Sequence, residues 1–519
     1  MQTVDPQAPP AGRMPRQIPF IIGNEAAERF SFYGMRNILT PFLTTSLLLH
    51  LPDAERAGAA KDLFHVFVIG VYFFPLLGGW LADRFLGKYS TVMWLSLVYC
   101  AGHALLAMFD DNRTGFYWGL GLIALGAGGI KPCVASFCGD QFDQTNKHKA
   151  KVVFDAFYWS INFGSFFASL LMPFFLKQYG GSVAFGIPGI LMFVATVIFW
   201  AGRKMYVRVP PAPPDPHSFL RVARTALVVR DGGGRPGLAL TVAGAVLALA
   251  ALATAPALGF VAAACTALIV FLAFAGCGTW MQLDRARAVH GDERVEGVRA
   301  VLRVLVVFAL VTPFWSLFDQ KASTWVLQAN GMAKPSWFQP AQMQALNPAL
   351  VMILIPLNNL VFYPALRRLG YELTALRRMT IGMASAGVAW IVVGLMQVAL
   401  DGGSPLSIAW QIVPYVFLTT GEVLVAATGL EFAYSQAPAA MKGVLMSFWN
   451  LCVTVGNLWV LLSNAAVRND TVVSSIGSTG MSVTAFQMFF FAAFALLTAV
   501  AFGFYASRYR FVDHYRKGV

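Results

Sequence analysis

The chain has 519 residues, of which 57% are hydrophobic and 12% charged, and its mean hydropathy is +0.62. Soluble chains are about 45–50% apolar and about 25% charged, so this composition excludes an ordinary water-soluble globule and a disordered scaffold. The net charge of +13 does not point to nucleic acid, because the basic residues lie in short loops between apolar runs.

Residues 1–18 are polar and Pro-rich, without an apolar core or a small-residue cleavage site, which predicts no signal peptide and a cytoplasmic amino terminus. A spanning helix needs roughly 20 apolar residues, and about 14 segments meet that length. Six come first, near 20–49, 62–84, 89–109, 115–138, 152–178 and 184–206. A polar stretch, 207–237, follows with Pro210, Pro211, Pro213, Pro214 and Gly232 to Gly234, and reads as a linker. Two apolar runs, 238–254 and 257–282, turn back on each other around Pro256. Six more lie near 299–329, 348–366, 377–400, 408–434, 443–466 and 484–507. The six cysteines lie mostly inside apolar segments and none forms a CxxC, so they read as reduced packing residues rather than disulfides or metal ligands.

Lysine and arginine test this topology. One set of loops carries only Arg56, Lys61, Arg113, Lys177, Lys334 and Arg468; the other carries Arg84, Lys88, Lys147, Lys149, Lys151, Arg203, Lys204, Arg208 and many more. This is a positive-inside pattern with both termini cytoplasmic. The fold expected is all-α and integral to the membrane. It comprises a tail (1–18), an N-terminal six-helix bundle (19–206), a cytoplasmic linker (207–237), a two-helix hairpin (238–282), and a C-terminal six-helix bundle with its tail (283–519). Two six-helix halves joined by a cytoplasmic linker suggest a major-facilitator-type transporter.

Charges inside the apolar runs are costly and mark function by default. The first segment reads Glu25-Ala-Ala-Glu28-Arg29-Phe30-Ser31-Phe32-Tyr33-Gly34-Met35-Arg36, whose polar positions are spaced by threes and fours. On a helix they form one stripe that must face a cavity or partner helices. Two acids beside a base can exchange protons, because each charge shifts the others' proton affinity. The fourth segment holds Lys131, next to Pro132, which breaks the backbone ladder there, with Glu25 and Glu28 as natural partners for the ammonium. The seventh carries Arg303 and Asp319, and the tenth carries Glu422. Net positive charge in the first half and acids in the second make a dipolar cavity suited to a zwitterion, its carboxylate toward the first half and its ammonium toward Glu422. Asp83 and Arg84 close the second segment within Gly79-Trp-Leu-Ala-Asp83-Arg84-Phe-Leu-Gly87-Lys88, which looks like a cytoplasmic gate signature. Tyr158 and Asn162 share a helix face that suits amide recognition or helix packing, and His65 lies seven residues before Tyr72, near the same face.

Together these residues resemble one family, the proton-coupled oligopeptide transporters. Its first-helix ExxERFxYYG pattern matches Glu25 to Gly34, with Phe32 in place of the first paired tyrosine. Gly126 to Phe142, Tyr158 to Ser165, Phe314 to Gln320 and Thr420 to Gln436 extend the match, as does Tyr434-Ser-Gln436-Ala-Pro438. The 238–282 hairpin looks like the two extra helices of bacterial members. The resemblance implies proton-driven uptake of di- and tripeptides across the inner membrane by alternating access, with protons as coupling ion and no other cofactor, in a protein that works as a monomer. It implies that Arg29 and Lys131 hold the peptide carboxylate and Glu422 its amino group. Tyr33, Tyr72, Tyr158, Asn162 and Asn347 would hydrogen-bond the peptide or line its pocket, and Trp315 and Trp449 would wall side-chain pockets. Arg36 and Asp319 look like an extracellular gate pair, Glu25 and Glu28 like proton-coupling groups, and His65 sits where animal members have a functional histidine.

An alternative reading is proton-coupled transport of another small anion such as nitrate. A membrane enzyme would need a metal cluster or an activated nucleophile. The seven histidines are scattered, with no HxxxH or HExxH, and no phosphate-binding loop of the Walker type is present.

Overall fold

In lipid every backbone N–H must be satisfied within its own segment, so long apolar runs become helices. The computed structural model describes residues 14–142, 146, 150–211, 213, 215–230, 234–370, 373–436 and 441–509. The two ends of the chain, Lys147, Lys149, Pro214, Gly232, Gly233 and Pro438 lie outside the described residues. The helices are α1 (Ile18–Phe42), α2 (Asp53–Leu81), α3 (Gly87–Met108), α4 (Arg113–Gly139), α5 (Ala150–Ala201), α6 (Phe219–Val228), α7 (Pro236–Leu252), α8 (Ala255–Leu258), α9 (Phe260–Gln282) and α10 (Arg287–His290). They continue as α11 (Asp292–Asp319), α12 (Thr324–Asn330), α13 (Leu346–Leu357), α14 (Tyr363–Arg368), α15 (Ala375–Asp401), α16 (Ile412–Glu422), α17 (Thr428–Gln436), α18 (Lys442–Ala466), α19 (Asp470–Gly477) and α20 (Val483–Arg508). Among the described residues ten helical runs are long and apolar enough to cross a membrane.

The backbone groups into two compact units. One holds the chain up to Arg56, Phe73–Pro213 and Ser336–Met352; the other holds Ala57–Tyr72, Pro214–Pro335 and Ile353 onward. In the first unit α1 packs along α5, and α3 lies against α4 and α5. Small residues permit the close approach: a Cβ on Gly78 would lie 2.3 Å from Gly129 Cα. Segment Ser336–Met352 joins this unit through side-chain amides. Gln344 Nε2 donates to Asn37 O at 3.1 Å, and Gln342 Nε2 donates to Leu170 O at 2.8 Å. Gln141 ties the end of α4 to the chain beyond α5, donating to Val207 O at 3.1 Å and accepting from Val207 N at 2.9 Å.

In the second unit α15 packs on α16 and α20, and α11 on α18 and α20. The hairpin α7–α9 closes on itself where Gly237 meets Gly278. Gln282 accepts from Leu238 N at 3.0 Å and so pins the start of α7 to the end of α9. The other face of α9 buries Ala262 and Cys265 against Ile69 of α2 and Leu458 and Leu461 of α18.

Two expectations change. The 207–237 stretch is not wholly a linker: it contains α6, whose Val222 and Ala226 are fully buried, and α7 already begins at Pro236. Pro132 lies inside α4, which continues to Gly139; a proline removes one ladder bond, and neighbouring groups in a packed bundle can absorb that loss. The seventh run starts earlier, with α11 beginning at Asp292, and ends at Asp319 in a 3-10 turn, Gln320–Ala322.

The glycine contacts give a paired test. Gly78→Ala should destabilise the protein by about 1–3 kcal/mol through overpacking. Gly79→Ala, with nothing within 4 Å of its added Cβ, should be neutral. Intrinsic-fluorescence melting in detergent measures both, and equal melting points would contradict the close α2–α4 contact.

Candidate functional site

Helix α1 turns the 25, 28, 29 and 36 positions inward: Glu25 is 4% exposed, Glu28 0%, Arg29 7% and Arg36 5%. Arg29 Nε lies 2.9 Å from Glu25 Oε1 and 2.6 Å from Glu28 Oε2. One guanidinium thus serves two carboxylates, one a helical turn away and one adjacent in sequence. Such a cluster is held in place because removing either sign would leave a buried charge uncompensated. Around it, Lys131 Nζ stands 4.0 Å from the centroid of the Phe32 ring, and Tyr33 meets Phe32 edge-on at 5.4 Å. The phenylalanine that departs from the expected tyrosine therefore offers its face to a cation. Behind the stripe, Ser31 Oγ donates to Pro188 O at 2.7 Å and lies 3.0 Å from His103 Nε2, which anchors α1 to its neighbours.

Other expected residues of this unit fall as follows. Asn162 is 8% exposed and donates to its own helix at Tyr158 O, 3.0 Å away, while Tyr158 is 45% exposed. Asn347 is buried. Asp83 and Arg84 are exposed on a π-helical turn, Ala82–Leu86. Lys88 of the same motif pairs with Asp140 at 2.7 Å. Asp140 was not singled out on its own, although it lies within Gly126 to Phe142.

The second unit holds a hydrogen-bonded chain around His65, which is fully buried. Asn457 Nδ2 donates to Asp319 Oδ2 at 2.8 Å and to Val453 O at 2.9 Å. Its Oδ1 therefore turns to His65 Nδ1, 2.6 Å away, which donates to it. His65 Nε2 lies 3.0 Å from Ser323 Oγ. Sequence reasoning missed Asn457; the available signal was an amide in the apolar run Val453-Thr-Val-Gly-Asn457, eight residues after Trp449. One turn outward on α2, Asp62 accepts from Asn464 Nδ2 at 2.8 Å and pairs with Arg468.

Trp315 and Trp449 meet edge to face with centroids 6.0 Å apart. Gly456 and Gly429 give these rings room, since a Cβ on either would clash with Trp315 or Trp449. Tyr72 is half-buried. Glu422 ends α16 where the backbone changes to the π-helical turn Val423–Ala427, a distortion that often accompanies functional side chains. Among the described residues no group of three or more His, Cys, Asp or Glu side chains could hold a metal ion.

The sequence model of the PTR2 family, described as POT family, matches residues 89–474. The chain belongs to the POT family. POT proteins are multi-pass membrane transporters rather than enzymes. Among curated relatives, solute carrier family 15 member 2 of Mus musculus is 34% identical over 416 residues, covering 75% of this chain and 50% of the relative. Peptide transporter family 2 of Caenorhabditis elegans is 34% identical over 418 residues, covering 76% and 48%. The chain thus spans about half the length of these relatives. Two solved structures match nearly end to end. An auto-inhibited POT family peptide transporter is 68% identical with a TM-score of 0.95, covering 97% of this chain and 99% of its own. The POT family transporter PepTSo is 65% identical with a TM-score of 0.95, covering 97% and 100%.

The Asn457 chain is open to mutation. Asn457→Leu removes the amide that bonds both His65 Nδ1 and Asp319 Oδ2 and should cost about 1–3 kcal/mol. Asn450→Leu should cost less, because Asn450 Nδ2 donates only to Met446 O of its own helix. Melting temperatures of the two variants should differ in that order.

Proposed function

We propose that this chain carries out proton-driven uptake of di- and tripeptides across the inner membrane by alternating access. The observation that carries the reading is the buried Glu25–Arg29–Glu28 cluster on α1 with a second, half-buried cation, Lys131, over Phe32. A peptide backbone is constant and its side chains are not, so fixed ends with tolerant walls suit many peptides. Arg29 and Lys131 take the carboxylate, and Glu422 takes the ammonium. Tyr33, Tyr72, Tyr158, Asn162 and Asn347 bond the backbone or line the pocket, and Trp315 and Trp449 form its tolerant walls. Protonating Glu28 or Glu25 removes a charge from Arg29 and weakens its pairing, so proton binding is linked to a change of conformation. Asp319 and His65 belong to the same proton-linked set, with Arg36 and Asp319 as an outer gate and Asp83 and Arg84 at the inner one. Peptide transport by the relatives named above supports this reading.

The proposed topology has fourteen spans. Two of the ten long runs, Glu55–Met108 and Val152–Lys204, contain a non-helical glycine, Gly87 (φ 74°) and Gly180 (φ 78°), and count twice. The charged α1 and the 17-residue α7 complete the set. The spans make a bundle over 19–206, a hairpin over 238–282 and a bundle over 283–519, with the 207–237 stretch and its helix α6 on the cytoplasmic side. Both termini are cytoplasmic, the monomer is the working unit, and protons are the sole coupling ion.

Liposome uptake of labelled dialanine under an inward proton gradient tests the reading, with nitrate as the comparison substrate. Glu422→Gln should weaken free dipeptides about tenfold or more, as expected for a lost charge-assisted bond of about 1.5–3 kcal/mol, and N-acylated dipeptides less. Equal loss for both would remove Glu422 from the ammonium site.

A further inference from the structure

A cavity of about 420 Å³ lies outside the residues assigned above, between the ends of α9 and α20 and the third and fourth turns of α11. Its polar wall is made by Arg303 of α11, Tyr505 and Arg508 of α20, and Trp280, two residues before the end of α9. Leu302 and Val306 supply the apolar wall. Val306 is 44% exposed and Trp280 40%, so the cavity opens sideways onto an apolar helix face rather than into the protein.

The charges here are uneven. Arg299, one turn before Arg303, is matched by Asp284 at 2.6 Å and Glu296 at 3.3 Å. Among the described residues Arg303 and Arg508 make no ion pair. Their guanidiniums rest on aromatic faces instead, Arg303 at 5.8 Å from the Trp280 ring and Arg508 at 3.8 Å from the Phe504 ring. Tyr505 Oη donates to Arg303 O at 3.4 Å, which holds α20 against α11 at the cavity. Two guanidiniums, one at the end of α20 and one about three turns into α11, a tryptophan and tyrosines beside them, and an apolar wall leading away form three parts of one amphiphile site. Basic pockets between membrane helices take anionic headgroups, and Trp and Tyr prefer the membrane–water interface.

We propose that this cavity binds one anionic phospholipid, with its phosphate on Arg303 and Arg508 and an acyl chain along Leu302 and Val306. The lipid fills the gap between the hairpin helix α9 and helices α11 and α20. A soluble phosphate would use the guanidiniums but not the apolar wall, and a zwitterionic lipid would use the wall while its own cation opposes the guanidiniums. The site would face the cytoplasmic leaflet in the orientation proposed above; the binding itself does not depend on that orientation or on what is transported.

The experiment is native mass spectrometry of the delipidated full-length protein in detergent, titrated with dioleoylphosphatidylglycerol or dioleoylphosphatidylcholine, with inorganic phosphate as competitor. Wild type should retain phosphatidylglycerol in preference to phosphatidylcholine, and millimolar phosphate should not displace it. With about 1 kcal/mol per basic residue, or roughly fivefold, Arg508→Gln should lower the preference about fivefold and Arg303→Gln/Arg508→Gln about 25-fold. Arg508 is the exposed last residue of α20, so the single variant keeps the test valid if the double variant does not fold. Equal retention of the two lipids by wild type, or an unchanged preference in Arg508→Gln, would overturn the proposal. Displacement by inorganic phosphate would also overturn it, showing a soluble-anion site instead.

Discussion

One guanidinium shared between two carboxylates on α1 is the constraint on which this structure turns. Arg29 lies within 2.9 Å of Glu25 and 2.6 Å of Glu28, and all three side chains are almost wholly removed from solvent. Such charges persist only where partners and packing hold them, because a buried carboxylate without a cation is strongly unfavourable. Two carboxyl groups facing one guanidinium favour a nearby cation such as Lys131 there. Protonating either acid would weaken its pairing with Arg29.

The packing around α1 follows from this need. Its far side is fixed by Ser31 on Pro188 O and His103, and Asn37 Nδ2 donates to Ser169 Oγ at 2.5 Å. Gly34 lets α1 approach Met172 and Pro188 closely, since an added Cβ would lie 3.0 Å from Met172 Cγ. The helix that carries the charges is therefore held from behind by small residues and short polar contacts. The second unit uses the same device at another place: His65, Asn457 and Asp319 satisfy one another in series rather than standing alone. The hairpin α7–α9 differs in kind, since its spans carry no charge and it adheres by apolar contact to α18 and α2.

Much of this was legible in the sequence. The stripe of Glu25, Glu28, Arg29 and Arg36 shows itself because charges at helical spacing stand out against an apolar run, and the structure buries them together. Trp315 and Trp449 meet edge to face, a contact between two distant segments. What the sequence did not reveal depends on contacts between distant segments. Asp140, rather than the adjacent Asp83, forms the ion pair with Lys88, which no local pattern ranks. Asn457 joins His65 to Asp319 across 392 and 138 positions of sequence. Helix α6 lies in a stretch whose prolines and glycines dominate the reading, although Phe219, Val222 and Ala226 recur there at helical spacing. The π-helical turn after Glu422 is a backbone adjustment that side-chain spacing does not encode.

The central claim is that the α1 cluster couples protons to transport, and Glu28→Gln separates the two halves of that claim. The variant fixes a neutral side chain that mimics the protonated acid. Exchange requires only that the loaded carrier reorient, whereas accumulation requires a proton to be gained and lost in each cycle. Counterflow of labelled dialanine and its proton-driven accumulation should be measured in the same liposome preparation. The account predicts that Glu28→Gln keeps counterflow and loses accumulation. Liposomes of this variant that still concentrate dialanine when acidified outside would contradict it.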